Sequence, residues 1–181
     1  MIRLILLSLS FLILSCESIP GEVRFLGSLP DVPSDPLSSY SNMSEEELEK
    51  AANNGEAEAM YLLGSSLCCG ANTSSAEDFR GYELMCEAAK KGHARAQYRL
   101  GRLFEKGISM KEINKYGEEA FAIPRDIPKA YMWYIVGEDS HYELSMHAKK
   151  RLKKKMNFDQ LNQALRLYKA WDTQICTNPS S

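Results

Sequence analysis

Cysteine is the residue type with the widest chemical scope in this sequence, and the chain has five of them. Cys16 follows directly after an apolar N-terminal run. The four remaining cysteines are Cys68, Cys69, Cys86 and Cys176. An even number of thiols predicts disulfides in a compartment that permits them. A zinc site formed by these thiols with His93 is the sharper interpretation, but no paired C-x-x-C or H-x-x-x-H spacing supports it, so we predict no metal site.

Sequence motifs that mark enzyme active sites are missing from the chain. There is no Ser-x-x-Lys and no Lys-Thr-Gly, which excludes the serine penicillin-recognising apparatus. There is also no Gly-x-Ser-x-Gly, no phosphate-binding glycine loop and no His-Glu-x-x-His. The formal net charge of −2 gives no general attraction to nucleic acid. We therefore predict no catalytic residues, no cofactor and no nucleic-acid partner.

The N-terminal segment decides what happens to Cys16. Residues 4–15 are apolar or small and follow Arg3, and this run is shorter than the roughly 20 residues of a membrane-spanning helix. Such a run is typical of a secretory signal. It ends in Ile-Leu-Ser-Cys, which resembles a bacterial lipobox. The resemblance implies that residues 1–15 are removed and that acyl chains such as palmitate on Cys16 anchor the protein. Glu17, where aspartate often marks inner-membrane retention in lipoproteins, favours the outer membrane over the inner.

The segment after the lipobox has a different character. Residues 16–43 have no steady apolar period and contain four prolines, Pro20, Pro30, Pro33 and Pro36. Prolines lack a backbone donor and favour extended conformations. We predict that this segment is the lipidated cysteine followed by a flexible tether.

Helical order is predicted to begin at Ser44. Ser44 and Glu47 have the spacing of a capping box, and the acidic residues around them suit the positive end of a helix dipole. Gly55 provides a left-handed residue at which the first helix is predicted to end.

Internal repetition dominates the rest of the chain. Residues 51–64 and 88–101 are identical at eight of fourteen positions. A helical pattern that recurs within 20 to 50 residues predicts a solenoid of stacked helix pairs. Small residues at the repeated positions let helices approach closely, and larger ones fill the space beside them. These predicted packing residues are Ala57, Ala59, Tyr61, Gly64, Ala94, Ala96, Tyr98 and Gly101.

The repeated residues, with those that follow, resemble the Sel1-like repeat, a relative of the tetratricopeptide repeat. The pattern is Ala-x-Ala-x-x-x-Leu-Gly, then Gly, then Asp-x-x-Lys-Ala-x-x-Trp, then Ala-Ala-x-x-Gly. Residues 126–133 match its third part closely, so the resemblance adds Ala130 and Trp133 to the packing residues. It implies an all-α fold, a short α/α solenoid with a C-terminal capping helix. This domain would cover residues 44–171 and leave residues 172–181 as a tail.

The chain departs from the repeat pattern in two places. Gly137, Glu138 and His141 replace the usual residues of Ala-Ala-x-x-Gly, so we expect looser packing of the second helix pair on the last helices. Gly107 and Asp126 lie much farther apart than the family requires, so residues 108–125 contain an insertion. This insertion is either a tolerated surface loop or a contact surface. The residues that slightly favour a contact surface are Tyr116, Phe121 and Ile123.

The resemblance also bears on the cysteines. Cys68 and Cys69 end one helix of a hairpin and Cys86 lies on its antiparallel partner, and cysteine-rich relatives of the family brace helix pairs with a disulfide. The resemblance therefore implies a bridge between Cys69 and Cys86, or between Cys68 and Cys86.

These features predict a membrane-anchored scaffold that mediates protein–protein interaction, on the periplasmic or outer face of a bacterial membrane. Its partner would be an unknown protein or peptide. A periplasmic enzyme or cell-wall-modifying accessory is the competing interpretation, and a structural lipoprotein without a dedicated ligand is the third.

Overall fold

The computed structural model describes residue 40, residues 42–69, 73–108 and 121–170, and residue 176. These residues all belong to one compact unit, residues 34–181. The predicted signal peptide, Cys16, most of the tether, Tyr116, Trp171 and most of the tail lie outside the described residues. Within them, the regular elements are α1 (Glu45–Asn53), α2 (Ala57–Leu67), α3 (Ser75–Lys90), α4 (Ala94–Lys106), α5 (Ile127–Asp139), α6 (Glu143–Lys153) and α7 (Phe158–Lys169). None of these helices is both long and apolar enough to cross a membrane.

The start of α1 has the predicted capping box. The Ser44 hydroxyl accepts a hydrogen bond from the Glu47 backbone N–H at 3.3 Å, and the Glu47 carboxylate accepts one from the Ser44 N–H at 2.7 Å. These bonds satisfy two of the donors that a helix N-terminus leaves open. The helix ends at Asn53 and Gly55 follows with a φ of +89°, as the sequence predicts.

Consecutive helices pack on one another from α1 to α6, and α7 returns to pack on α5. Helix α5 therefore has helices on several sides. Its residues Tyr131, Met132, Trp133 and Tyr134 are all buried, as expected for a helix that is apolar around its whole circumference. A smaller cluster of buried side chains joins α1 to α2 and contains Ala51, Ala52, Ala59, Leu63 and Leu67.

The same turn connects the helices at three places. Gly55, Gly92 and His141 have positive φ values of 89°, 84° and 56°. Each donates its backbone N–H to the carbonyl three residues before it, and the next residue donates to the carbonyl five residues before. This is the Schellman arrangement, which satisfies the last carbonyls of a helix.

The expectation of loose packing after the second helix pair is wrong. A Cβ atom on Gly137 would overlap the Ser145 hydroxyl, so α5 and α6 cross in close contact. His141 adopts the left-handed conformation that Gly92 adopts in the preceding turn. The turn geometry is therefore retained although its usual residue is replaced.

The described ends of the insertion are attached to the core. The Ile108 N–H donates to the Ile123 carbonyl at 2.7 Å in an isolated antiparallel bridge. Ile123 is fully buried, and the Phe121 ring lies 5.9 Å from the rings of both Phe79 and Tyr82. Ile123 is therefore a core residue and Phe121 packs against the core, so the prediction that these two residues favour a contact surface is wrong.

The expected bridge from Cys86 to Cys68 or Cys69 is also wrong. The structure pairs Cys86 with Cys176 and Cys68 with Cys69. The reason lies in the register of α2 against α3, because Gly81, rather than Cys86, is in contact with Cys68. Cys86 is five residues farther along α3, a rise of about 7.5 Å, so its thiol meets the C-terminal segment instead.

Candidate functional site

The predicted packing residues divide into two groups in the structure. The buried ones are Ala59, Gly64, Ala96, Gly101, Ala130 and Trp133. The partly exposed ones are Ala57, Tyr61, Ala94 and Tyr98. The two tyrosines occupy equivalent positions on α2 and α4, and each presents part of its ring to the surface. A candidate site can therefore be built outward from Tyr61 and Tyr98.

Around Tyr61, side chains from two successive units contact one another through ring stacking, hydrogen bonds and an ion pair. The Tyr61 ring stacks on the His93 ring with centroids 4.7 Å apart, and the Arg95 guanidinium lies 4.8 Å from the Tyr61 centroid. His93 Nδ1 accepts from the Ala96 backbone N–H at 3.1 Å as the N-cap of α4. His93 Nε2 therefore carries the proton that is shared with Glu58 at 2.7 Å. Glu58 also forms an ion pair with Arg95, so its carboxylate is fully engaged.

Around Tyr98, three tyrosines and an arginine are in contact. The Tyr98 ring centroid lies 5.9 Å from that of Tyr134 and 5.6 Å from that of Tyr142, the N-cap residue of α6. The Arg102 guanidinium lies 5.9 Å from the Tyr98 centroid and donates to the Tyr98 hydroxyl at 3.2 Å. Partial burial is the main cause that raises the pKa of Tyr142, so this phenol stays neutral at physiological pH.

We call this surface the tyrosine–arginine strip and define it by Tyr61, Arg95, Tyr98, Arg102 and Tyr142. All five side chains are partly exposed. After burial, the neighbouring Tyr61 and Tyr98 raise the pKa of Tyr142 and the charge of Arg95 lowers it. The strip runs along the first helices of successive helix pairs. It offers flat aromatic area and guanidinium donors whose positions are fixed by stacking.

A positively charged cleft adjoins the strip along α4. Arg99, Arg102 and Lys106 line a cavity of about 270 Å³ together with Tyr98 and Leu103. We call these three basic residues with this cavity the cationic cleft. Within the described part of the chain, neither Arg99 nor Lys106 has an ion-pair partner. Positive charge that no described carboxylate pairs with is available for a ligand.

The acidic residue nearest to the cleft along α4 is already engaged elsewhere. The Glu105 carboxylate accepts a hydrogen bond from the Tyr134 hydroxyl at 2.6 Å and forms an ion pair with Arg151 of α6. Burial, followed by the bond to Glu105, raises the pKa of Tyr134, so that hydroxyl remains a donor. Glu105 thus joins α4, α5 and α6. The hydrogen bond to Tyr98 is the main cause that raises the pKa of Arg102, and the charge of Glu105 also raises it.

The described cysteine thiols and His93 are not grouped as a zinc site would require. Both ring nitrogens of His93 are occupied by Ala96 and Glu58. Among the residues that the structure describes, no three His, Cys, Asp or Glu side chains lie close enough to hold a metal ion.

Sequence reasoning missed Arg95, Arg102 and Tyr142. Arg95 and Arg102 occupy positions at which the first unit has Glu58 and Ser65. Because these positions are not identical in the two units, the sequence identity between the units does not identify them. The usable signal was the substitution of arginine at two exposed positions of an otherwise matching helix.

Comparison of the sequence with protein-family models and with curated proteins gives no match. The structure is similar to a crystal structure of a protective antigen present in uropathogenic Escherichia coli strains, which displays an SLR (Sel1-like repeat) fold. The sequences are 22% identical and the TM-score is 0.53, with 74% of this chain and 28% of that chain covered. This chain therefore spans little more than a quarter of the antigen. The similarity confirms the predicted architecture: the described residues of the chain adopt the all-helical fold of Sel1-like repeats.

Proposed function

We propose that this protein is a membrane-anchored scaffold that binds another protein through the tyrosine–arginine strip. The observation that carries the proposal is the strip itself, five partly exposed Tyr and Arg side chains fixed against one another across successive helix pairs. Solenoid folds present extended surfaces of this kind to their ligands.

The residue types of the strip favour protein binding for energetic reasons. Tyrosine and arginine are enriched among the few interface residues that contribute most of the binding free energy. A side chain that is already ordered loses little conformational entropy when a partner packs on it. Tyr61 and Tyr98 are each held by an aromatic neighbour and a guanidinium group. A partner would therefore meet a preorganised surface.

Cys16 supplies the membrane attachment in this proposal. Several acyl chains anchor a protein firmly where a single chain would not. The predicted tether of about 27 residues has a random-coil reach of roughly 30 Å. The strip could then bind a partner near the membrane without lying on the bilayer.

Substitution of exposed strip residues tests the binding role. We expect the full chain with Tyr61→Ser and Tyr142→Ser to lose a partner that the unmodified chain captures by chemical cross-linking in the bacterial envelope. The matched control is Phe158→Ser with Leu165→Ser, because both side chains are large, apolar and exposed on α7. Both variants are first compared by thermal unfolding to verify the fold. Equal loss of the partner in both variants would show that the strip has no special role.

The anchor is tested separately through Cys16→Ser. We expect the unmodified chain to incorporate a labelled palmitate analogue and to sediment with membranes, and the variant to do neither. A variant that still sediments with membranes, beside an unmodified chain that takes up no label, would contradict the lipid anchor and leave the strip proposal intact.

A further inference from the structure

We infer that the partner presents an acidic, extended peptide segment that binds in the cationic cleft beside the strip. This inference rests on the proposed scaffold function and specifies the chemical class of the segment that is bound. Three observations carry it: the spacing of the basic residues on α4, the engagement of the neighbouring carboxylates, and the shape of the cleft.

The basic residues follow one face of α4. Arg99, Arg102 and Lys106 are related by steps of three and four residues, which brings them to the same side of a helix. The rise between Arg102 and Lys106 is about 6 Å. Alternate side chains of an extended peptide are separated by about 6.7 Å. An extended segment with acidic residues at alternate positions can therefore present one carboxylate to Arg102 and the next to Lys106.

Carboxylates of the described chain do not neutralise the cleft. Glu105 is held by Tyr134 and Arg151. Asp78, which lies near the Cys69 side of the cavity, accepts from the Cys69 N–H and from the Thr73 hydroxyl, both at 2.6 Å. Since these acids are directed elsewhere, an incoming carboxylate would meet cations whose charge is not already paired.

The shape of the cleft favours a peptide over a lipid surface. Its wall includes the Leu103 side chain and the Tyr98 ring, so it is a recess with apolar as well as charged lining. A second cavity, which Lys106 also lines, is bordered by Arg125 and Lys155 together with Glu105. Cations outnumber carboxylates in the lining of both cavities. A peptide can enter a recess of this kind, whereas a bilayer surface contacts exposed groups outside it.

Direct binding to defined probes tests the inference. The full chain is titrated into fluorescein-labelled peptides in which glutamate, glutamine or lysine alternates with serine and tyrosine, and fluorescence polarisation is recorded at several salt concentrations. We expect saturable binding of the glutamate peptide alone, with affinity that falls as ionic strength rises. Vesicles with and without phosphatidylglycerol form the membrane arm. Binding to the anionic vesicles in the absence of glutamate-peptide binding would overturn the inference in favour of a lipid surface.

A pair of charge-removing variants locates the binding. Arg99→Ala with Lys106→Ala removes two exposed cations from the cleft, and we expect the affinity for the glutamate peptide to fall at least about tenfold. The control, Lys150→Ala with Lys153→Ala, removes two exposed cations from α6. Its net charge therefore equals that of the cleft variant. We expect the control to bind within about twofold of the unmodified chain, since a factor of two is less than 0.5 kcal/mol. Equal weakening in both variants would overturn the inference, because the binding would then follow net charge.

Partner capture by the strip variant and by the cleft variant distinguishes failure of this inference from failure of the scaffold proposal. If Tyr61→Ser with Tyr142→Ser abolishes partner capture while the cleft variant captures the partner normally, the strip binds a protein and the acidic-segment inference fails. If neither variant affects capture, both proposals fail.

Discussion

The first repeat unit, residues 57–92, and the second, residues 94–141, place glycine at the same point of their helix crossings but pack it differently. A Cβ on Gly64 would lie 2.8 Å from the Gly81 carbonyl oxygen and 3.0 Å from the Met85 backbone nitrogen. A Cβ on Gly101 would instead lie 2.5 Å from the ring of Tyr134. The first crossing is thus limited by backbone atoms and the second by a side chain. Identical glycines in a repeat can therefore have different structural requirements.

The two units also differ in how they connect to the next unit. Met60 in the first unit is replaced by Gln97 in the second, and Gln97 is buried. The Gln97 amide donates to the Ala89 carbonyl at 3.0 Å and accepts from the Ser140 hydroxyl at 2.8 Å. One side chain thus links the turn before the second unit to the turn after it. Polar bonds hold the second unit in register where the first relies on apolar contact.

The largest effect is expected from Gly81→Ala, because the atoms that the new methyl group would meet are backbone atoms and α2 and α3 must separate. We expect a loss of about 3 kcal/mol in the free energy of unfolding and a fall of roughly 10 °C in the thermal midpoint, followed by far-ultraviolet circular dichroism. Glu83→Ala, at an exposed position on the same helix, is the control and should change the midpoint little. A midpoint within error of the unmodified chain would contradict the backbone-limited crossing.

Gly101→Ala is expected to cause a smaller loss of stability, which a second substitution should partly restore. The new methyl group meets the Tyr134 ring, which is fully buried and bonded to Glu105, so we expect a loss of about 2 kcal/mol. Tyr134→Met introduces the residue type that Met85 provides in the first unit. In a double-mutant cycle, Gly101→Ala should cost about 1 to 2 kcal/mol less when Tyr134 is already methionine.

The corresponding cycle in the first unit sharpens the contrast. Gly64→Ala meets the Gly81 carbonyl oxygen at 2.8 Å as well as Met85. Met85→Ala should therefore rescue it only slightly. Strong rescue in both units, or in neither, would remove the distinction between the two crossings.

Replacement of Gln97 by methionine, the residue at the equivalent position of the first unit, should have an intermediate effect. The Ala89 carbonyl keeps its hydrogen bond from the Gly92 N–H but loses that from Gln97, and the Ser140 hydroxyl loses its acceptor. Each hydrogen bond contributes about 0.5 to 1.5 kcal/mol net. Chemical denaturation should give a loss of about 1.5 kcal/mol. Met60→Gln in the first unit serves as the reciprocal substitution and should bring no gain, since Met60 has no such polar ties among the described residues. Stability unchanged by Gln97→Met would mean that water satisfies both groups.

The sequence was sufficient to predict the features that depend on local or repeated contacts. Ser44 with Glu47 marked the start of α1, Gly55 marked its end, and the repeated alanines and glycines predicted the solenoid. Each of these signals follows from an interaction within one helix or between neighbouring helices. Such interactions recur with the repeat, so identity between units reports them.

Other features depend on contacts that do not recur. The pairing of Cys86 with Cys176 joins residues 90 positions apart, which no spacing rule can identify. The strip combines Arg95 and Tyr142, which differ from their counterparts Glu58 and His93, and their juxtaposition follows only from the stacking of units. The solenoid could be predicted from the sequence because its core residues recur from unit to unit. The candidate site could not be predicted, because the surface residues that form it do not recur.

The smallest expected change in stability concerns the turns that end the two units, at Gly92 and at His141. His141 has a positive φ, which costs about 1 to 2 kcal/mol for a residue with a Cβ, whereas glycine gives back about 0.5 to 1 kcal/mol through its freedom in the unfolded chain. The His141 side chain is exposed, so we expect His141→Gly to stabilise the protein by about 0.5 kcal/mol, measured from the denaturation midpoint. The reverse change, Gly92→Ala, meets no atom within 4 Å and should destabilise by about 1 kcal/mol through backbone strain alone. A loss of stability on His141→Gly would show that histidine contributes a contact at this turn, and that the two turns differ in more than the strain of one residue.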